Sequence, residues 1–415
     1  MASNDRLYEC VVLGATGYTG KYTAEHITTH LPTDFRWAIA GRSEAKLNAV
    51  ANELKQLNPN RTQPDVVVAQ LEKDNLIRLA KSTKVLITAV GPYVKYGTPV
   101  VEACVETGTH YLDVTGEIPW TYDMVQKHHD TAKKNGAIMI MQDGFESVPT
   151  DLLSWALVTH VRETIGVGTE EVIVTLWDIV GTFSGGSLAT VMNMFESFTS
   201  SQMIKARNPW CLCPVSPPQQ VPSRPLLERL TGTRSDRDMG TLTDGIQAFS
   251  DLPIVHRSWG LCDEGKLYGP KFRATAYMKS RNMITAIGFH LALVIAFSAL
   301  ALPPLRWLAK KFIYEPGQGP TKEQVKKDYC EWRAVANADV TDPNDPKRAQ
   351  AQMKWSGSLY HFTGVCLAES AYIIAREKTL AHSIGGGMMT PATLGAAYLD
   401  RLQKAGLELD IKSLP

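Results

Sequence analysis

At 415 residues the chain is long enough for two domains and a substantial core. Its 43 Lys and Arg are balanced by 42 Asp and Glu, so no basic stripe supports nucleic-acid binding. Seven dispersed cysteines point to reduced thiols and a cytoplasmic setting, and the polar start Met1–Arg6 lacks the apolar core of a secretory signal.

The first predicted strand, Leu7–Leu13, runs into Gly14-Ala15-Thr16-Gly17-Tyr18-Thr19-Gly20 and then into a helical run. Strand, glycine-rich turn and helix in that order open a dinucleotide-binding unit. Gly14 permits the tight turn, Gly17 lets backbone approach a pyrophosphate, and Gly20 allows the helix to pack closely on the strand. Thr16, Tyr18 and Thr19 complete the candidate loop, whose backbone N–H groups face the diphosphate. The spacing is G-x-x-G-x-x-G, so an ordinary glycine-rich βα turn is the alternative.

The second strand, Phe35–Ala40, ends in Gly41-Arg42-Ser43. An NAD site usually has an acidic residue near this point to accept from the ribose hydroxyls. Here Arg42 is placed to pair with a 2′-phosphate, and Ser43 to donate to it while capping the next helix. This predicts NADPH over NADH; the alternative is a solvated turn arginine.

Further strands are predicted at 65–69, 84–88, 110–113 and 137–141, with helices between them. Short, nearly continuous apolar strands joined by helical crossovers imply a parallel sheet covered on both faces. Residues 1–150 therefore read as a doubly wound, Rossmann-like α/β domain. After Asp143-Gly144-Phe145-Glu146 the pattern changes. Residues 151–353 read as a second, mixed α/β domain with strands at 171–177 and 274–278. Residues 354–415 read as a helix-rich tail packing back on the rest.

Ligands of doubly wound sheets bind beyond the carboxyl ends of the strands. There the fourth strand is followed by Gly91-Pro92-Tyr93. Gly91 and Pro92 would set the loop's path beside the cofactor, and Tyr93 would present a phenol as proton donor or ring contact, or else be packed for structure. Asp113-Val114-Thr115-Gly116-Glu117 follows the fifth strand, which makes Glu117 a candidate acid of raised pKa. Asp113 is expected to meet the substrate or to fix the loop. Asp143 and Glu146 are expected to form a structural hinge.

These segments resemble the saccharopine dehydrogenase-like oxidoreductases, most of all the branch with the trans-acting enoyl reductases and the animal saccharopine dehydrogenase-like oxidoreductase. The resemblance is carried by the 14–20 loop, Gly41-Arg42-Ser43, Gly91-Pro92-Tyr93, the 111–117 and 144–151 stretches, Gly181–Ser187, Pro316–Pro320 and Gly386–Ala392. It implies a Rossmann-like domain with a second domain and an NAD(P)H-linked reduction, and it leaves the substrate open.

None of the fourteen tyrosines has Lys four residues later, which argues against short-chain dehydrogenase chemistry. No metal-ligand pattern is present, and His128-His129 reads as solvated surface. From Asn282 to Leu305 there is no Asp, Glu, Lys or Arg. Basic residues lie on both sides: Lys279 and Arg281 before, Arg306, Lys310 and Lys311 after. A single span fits such flanks poorly. Shallow attachment to a membrane or lipid droplet, burial in the protein or a homodimer interface, and a true span all stay open.

The expected function is an NADPH-dependent reductase of an activated C=C bond in an apolar small molecule, lipid-like or polyketide-derived, free or carrier-bound. A saccharopine-type amino-acid or imine oxidoreductase and a nucleotide-binding scaffold at membranes are the alternatives.

Overall fold

A computed structural model describes residues 6–181, 185–217, 224–309, 319–340, 342 and 345–415. The first six strands are β1 (Tyr8–Leu13), β2 (Trp37–Gly41), β3 (Asp65–Val68), β4 (Thr83–Thr88), β5 (His110–Asp113) and β6 (Ile138–Ile140). They lie side by side, all parallel, in the order β6-β5-β4-β1-β2-β3. The order reverses between β1 and β4, so the crevice at the glycine turn is a topological switch point. β1 is buried throughout. Cys10 and Val12 enter the core on one face, Val11 and Leu13 the core on the other. The two-residue period of a strand thus feeds two helical layers at once, which is why the strand reads as a continuous apolar run.

The helix Val148–Thr164 carries the chain out of this sheet, and its Val148, Leu152, Leu157 and Val161 share one core with residues of both sheets. The second sheet is built on β7 (Thr169–Val180), with β8 (Thr233–Asp236), β9 (Gly240–Asp244), β10 (Arg273–Lys279), β11 (Tyr329–Ala338) and β12 (Arg348–Ser356). β7 pairs in parallel with β10 and antiparallel with β11, so the sheet is mixed, as expected.

The C-terminal region is helical but is not a separate appendage. Its β13 (Gly387–Met389) extends the first sheet in parallel beside β6, and its β14 (Glu408–Leu414) extends the second beside β12. The sheets therefore cut across the expected boundaries at 150 and 353. Arg257, buried in the second region, donates from Nε and Nη2 to Met388 O at 2.9 and 2.6 Å, which holds β13 in place. His129, expected at the surface, is half-buried, and its Nδ1 meets Arg257 Nη2 at 3.0 Å and Met388 N at 3.1 Å. The helix Leu359–Arg376 lies against the helix Tyr18–His30, and a Cβ on Gly364 would fall 2.7 Å from Thr23 N. The resemblance segments 182–184 and 316–318, and the flanking Lys310 and Lys311, lie outside the described residues.

Candidate active site

The glycine turn closes on itself. Gly14 N donates to Ala40 O at 2.9 Å, and Gly17 N donates to Gly14 O at 2.9 Å. Gly14 has φ +88°, and a Cβ there would press on Val90 Cγ2 at 2.7 Å. A Cβ on Gly20 would lie 2.2 Å from Gly14 O, so no side chain fits. At Gly17 the closest protein atom is farther, 3.2 Å. Packing inside the protein thus excludes side chains at Gly14 and Gly20, and bareness on the outer side is what Gly17 contributes. Gly17 caps the helix Tyr18–His30 without a side-chain hydrogen bond, so the first-turn amides are presented to an anion. Thr16 and Thr19 are half-buried in this turn. Tyr18 turns away from it: its hydroxyl donates to Pro320 O at 2.7 Å and its ring packs edge-on to Tyr22 and Tyr360. At the end of β2, Arg42 is exposed. Ser43 Oγ accepts from Lys46 N at 3.4 Å, a helix cap that leaves the hydroxyl proton free to donate.

Beyond β4 and β5 the polar groups are tied together. Gly91 is exposed and Pro92 half-buried in the loop that leads to Tyr93. The Tyr93 hydroxyl donates to Thr88 O at 3.1 Å and accepts from Val114 N at 3.3 Å. Burial pushes this phenol well above its ordinary pKa. Glu117 is fully buried, and its Oε1 and Oε2 accept from Tyr93 N and Val94 N, each at 2.8 Å. Desolvation raises its pKa, with these hydrogen bonds opposing. Asp113 accepts from Tyr111 Oη at 2.7 Å and from Thr115 N and Gln142 N at 3.0 Å each. Its pKa is pushed up to about 6 by burial. Asp143 accepts from Tyr398 Oη at 2.8 Å and from Ser370 Oγ, and burial lifts it to about 7.

Glu146 is different. It follows β6 at the same sheet edge, and a Cβ on Gly116 would lie 2.4 Å from its Oε2, so the glycine after β5 makes room for this carboxyl. The residue is exposed, and desolvation by the protein packed beside its carboxyl raises its pKa. Next to it, Phe145 packs against Trp332 of β11 at 5.4 Å, so this corner lies where the two sheets meet.

Residues 10–140 match the saccharopine dehydrogenase NADP binding domain. A trans-acting enoyl reductase of Mycobacterium tuberculosis is 29% identical over 98% of both chains, and one of Mycobacterium ulcerans is 29% identical over 98% of both. The saccharopine dehydrogenase (L-Glu forming) of Saccharomyces cerevisiae shares the fold, with a TM-score of 0.54 over 98% of this chain and 99% of that one at 11% identity. Along its whole length the chain is similar to the saccharopine dehydrogenase-like oxidoreductases. Its nucleotide is NADPH.

In this oxidoreductase the residues at the crevice fit that nucleotide. The bare Gly17 and the uncapped helix start suit the diphosphate, and Arg42 suits the phosphate that distinguishes NADPH from NADH. The adenine side of the crevice then lies over β2, and the opposite side over β4, β5 and β6. Tyr18 corrects the expected loop: its hydroxyl ties the turn to the segment at Pro320. Tyr93 and Glu117 are brought together, but with each other and the backbone, so their geometry is that of positioning residues that hold the 89–94 loop. Of Asp143 and Glu146, both expected at a structural hinge, Asp143 ties the segment after β6 to the C-terminal helices. Sequence reasoning passed over Glu146 as a candidate acid because it stands three residues from Asp143, and nothing in the chain separates an occupied carboxyl from an open one. Gly116, one residue before Glu117, is the clue that carries weight once the loops are seen side by side.

Proposed function

We propose that this oxidoreductase reduces an activated C=C bond in a lipid-like or polyketide-derived substrate, with Glu146 as the proton donor. The Gly14–Gly20 turn and Arg42 would hold NADPH, whose chemistry there would be a hydride for the β-carbon of the substrate. The protein's own part is to hold the substrate between the 89–92 and 144–147 loops and to deliver a proton from the Glu146 carboxyl to the α-carbon. Hydride and proton together saturate the double bond, and the carboxylate left behind is reprotonated from water, which reaches Glu146. The observation that carries the reading is a carboxyl of raised pKa beside the nucleotide crevice whose neighbours Asp113, Glu117 and Asp143 are already engaged. An acid used at neutral pH needs this kind of shift. The mycobacterial relatives named trans-acting enoyl reductase support the choice of a C=C bond.

The test is NADPH consumption with an α,β-unsaturated acyl thioester, with the reduced product identified by mass. Turnover only with an amine and a keto acid would return the chemistry to the saccharopine type. Tight NADPH binding with no turnover on either class would return it to a scaffold.

A further inference from the structure

The helix Met283–Ala301 has nineteen residues and a mean hydropathy of 2.1, and only 6% of its apolar stretch is buried. Burial inside the protein, one of the alternatives left open by the sequence, is therefore excluded. We infer that this helix lies in the plane of a lipid surface, with its free side in the hydrocarbon.

One stripe of the helix is fixed to the body of the protein along its whole length. Thr243 Oγ1 donates to Ala286 O at 3.0 Å, and His290 Nδ1 lies 3.3 Å from Asp244 Oδ2. Phe297 packs against Phe195 with ring centres 6.2 Å apart. Arg306 Nη1 donates back to Leu300 O at 2.9 Å while its Nε pairs with Glu196. The spacing 286, 290, 297, 300 is that of one helical face. A helix so tied cannot cross a bilayer without carrying β9 and its Asp244, which also pairs with Arg224, into the hydrocarbon. An in-plane position needs no such burial.

The remaining face is apolar and open. Ile284 is 84% and Ile295 68% exposed, with Leu291, Val294 and Leu302 beside them. The surface continues on the helix Leu226–Thr231, which packs next to it and exposes Leu226, Leu227 and Leu230, and on Leu305, Trp307 and Leu308. Between Met283 and Leu302 the polar side chains are Thr285, His290 and Ser298. Thr285 is used in the helix cap and His290 faces Asp244. A protein partner is met by a polar rim and hydrogen bonds; this face offers almost none, whereas hydrocarbon asks for none. Arg281, just before the helix, and Arg229 on the neighbouring helix are exposed, and Trp307 follows its end, basic and aromatic groups of the kind that sit at headgroup level. This placement rests on the surface itself and holds whichever reaction the site performs.

The experiment is flotation of the full chain with phosphatidylcholine vesicles, with and without phosphatidylserine. The wild type should float with both. Leu291→Lys with Ile295→Lys should need about tenfold more lipid for half-binding, with NADPH affinity and melting temperature kept. A second variant, Leu226→Ser with Leu227→Ser, on a separate helix, should weaken flotation in the same direction. A wild type that stays with the soluble fraction overturns the inference. So does a lysine variant that floats like the wild type. A detergent-free dimer that the lysines convert to monomer, without vesicle binding, assigns the face to a second copy of the chain instead.

Discussion

The chain leaves β5 and β6 at the same sheet edge side by side, with two carboxyls at each exit. At the first, Asp113 and Glu117 are both saturated by hydrogen bonds from the protein. At the second, Asp143 is saturated in the same way, while Glu146 stands over Gly116 with protein around it and water in reach. All four have raised pKa values, and in all four desolvation is the leading cause. A shifted pKa alone therefore does not mark the reacting group. In the mechanism we propose, what separates framework from chemistry is whether the acid's oxygens already have partners.

The sharpest way to break this contrast is to neutralise the open acid and a closed one in parallel. Glu146→Gln should lower turnover by roughly 10²–10⁴-fold, the range for loss of general acid catalysis, with NADPH binding and stability retained. Wild-type activity should fall as pH rises through the raised folded pKa of Glu146, because the acid must be protonated to donate, and the glutamine variant should lose that dependence. A Glu146→Gln enzyme of unchanged turnover would hand the proton to water or to the substrate's own surroundings.

The next effect concerns the other end of the crevice. Arg42→Ala should weaken NADPH by roughly 1.5–3 kcal/mol, about ten- to a hundredfold, and leave NADH nearly unchanged, since only NADPH has the extra phosphate. Parallel calorimetric titrations decide it. Equal losses for both nucleotides would make Arg42 a turn residue.

Glu117→Gln sharpens the framework side. The amide keeps one acceptor oxygen where the carboxylate met two backbone N–H groups, so one buried donor is orphaned and stability should fall by about 1–3 kcal/mol in denaturant unfolding. A smaller effect appears with pH. Asp143 is raised to about 7 and Asp113 to about 6 in the folded protein, above an unfolded value of about 3.9. Across that window the folded state binds more protons, so these groups favour folding below pH ~4 and that contribution is lost as pH rises to about 7. Asp143→Asn should flatten the decline in melting temperature between those limits; an unchanged profile would mean that other groups set it.

Much of the parallel sheet was legible because each central strand is buried on both faces and so reads as a short apolar run between helices. β1 is the clearest case, with its residues alternating between two cores. β11 and β12 were missed: Glu331, Arg333, Gln350 and Gln352 interrupt their apolar residues, and Glu331 is bonded along its own strand by Arg333 and across the sheet by Gln352. β13 is three residues of Gly-Met-Met, a strand only because β6 leaves an open edge and Arg257 clamps it there. In the same way, the 282–305 segment announced its apolarity in the chain, while its placement depended on contacts with Thr243, Asp244 and Phe195 from distant parts of the sequence.

The sequence by itself determined the nucleotide end of the molecule: the glycine turn, Arg42 after β2 and the doubly wound order follow from local backbone geometry and from charge at a fixed distance along the chain. Only the tertiary structure decided which acid is open. Asp113, Glu117, Asp143 and Glu146 are alike as residues on loops. Their partners, Tyr111, the amides of Tyr93 and Val94, Tyr398 and Ser370, come from other elements, and the room made by Gly116 exists only when the two loops are side by side. Hydrogen bonding and desolvation are set by neighbours in space, and a carboxyl's role follows from them.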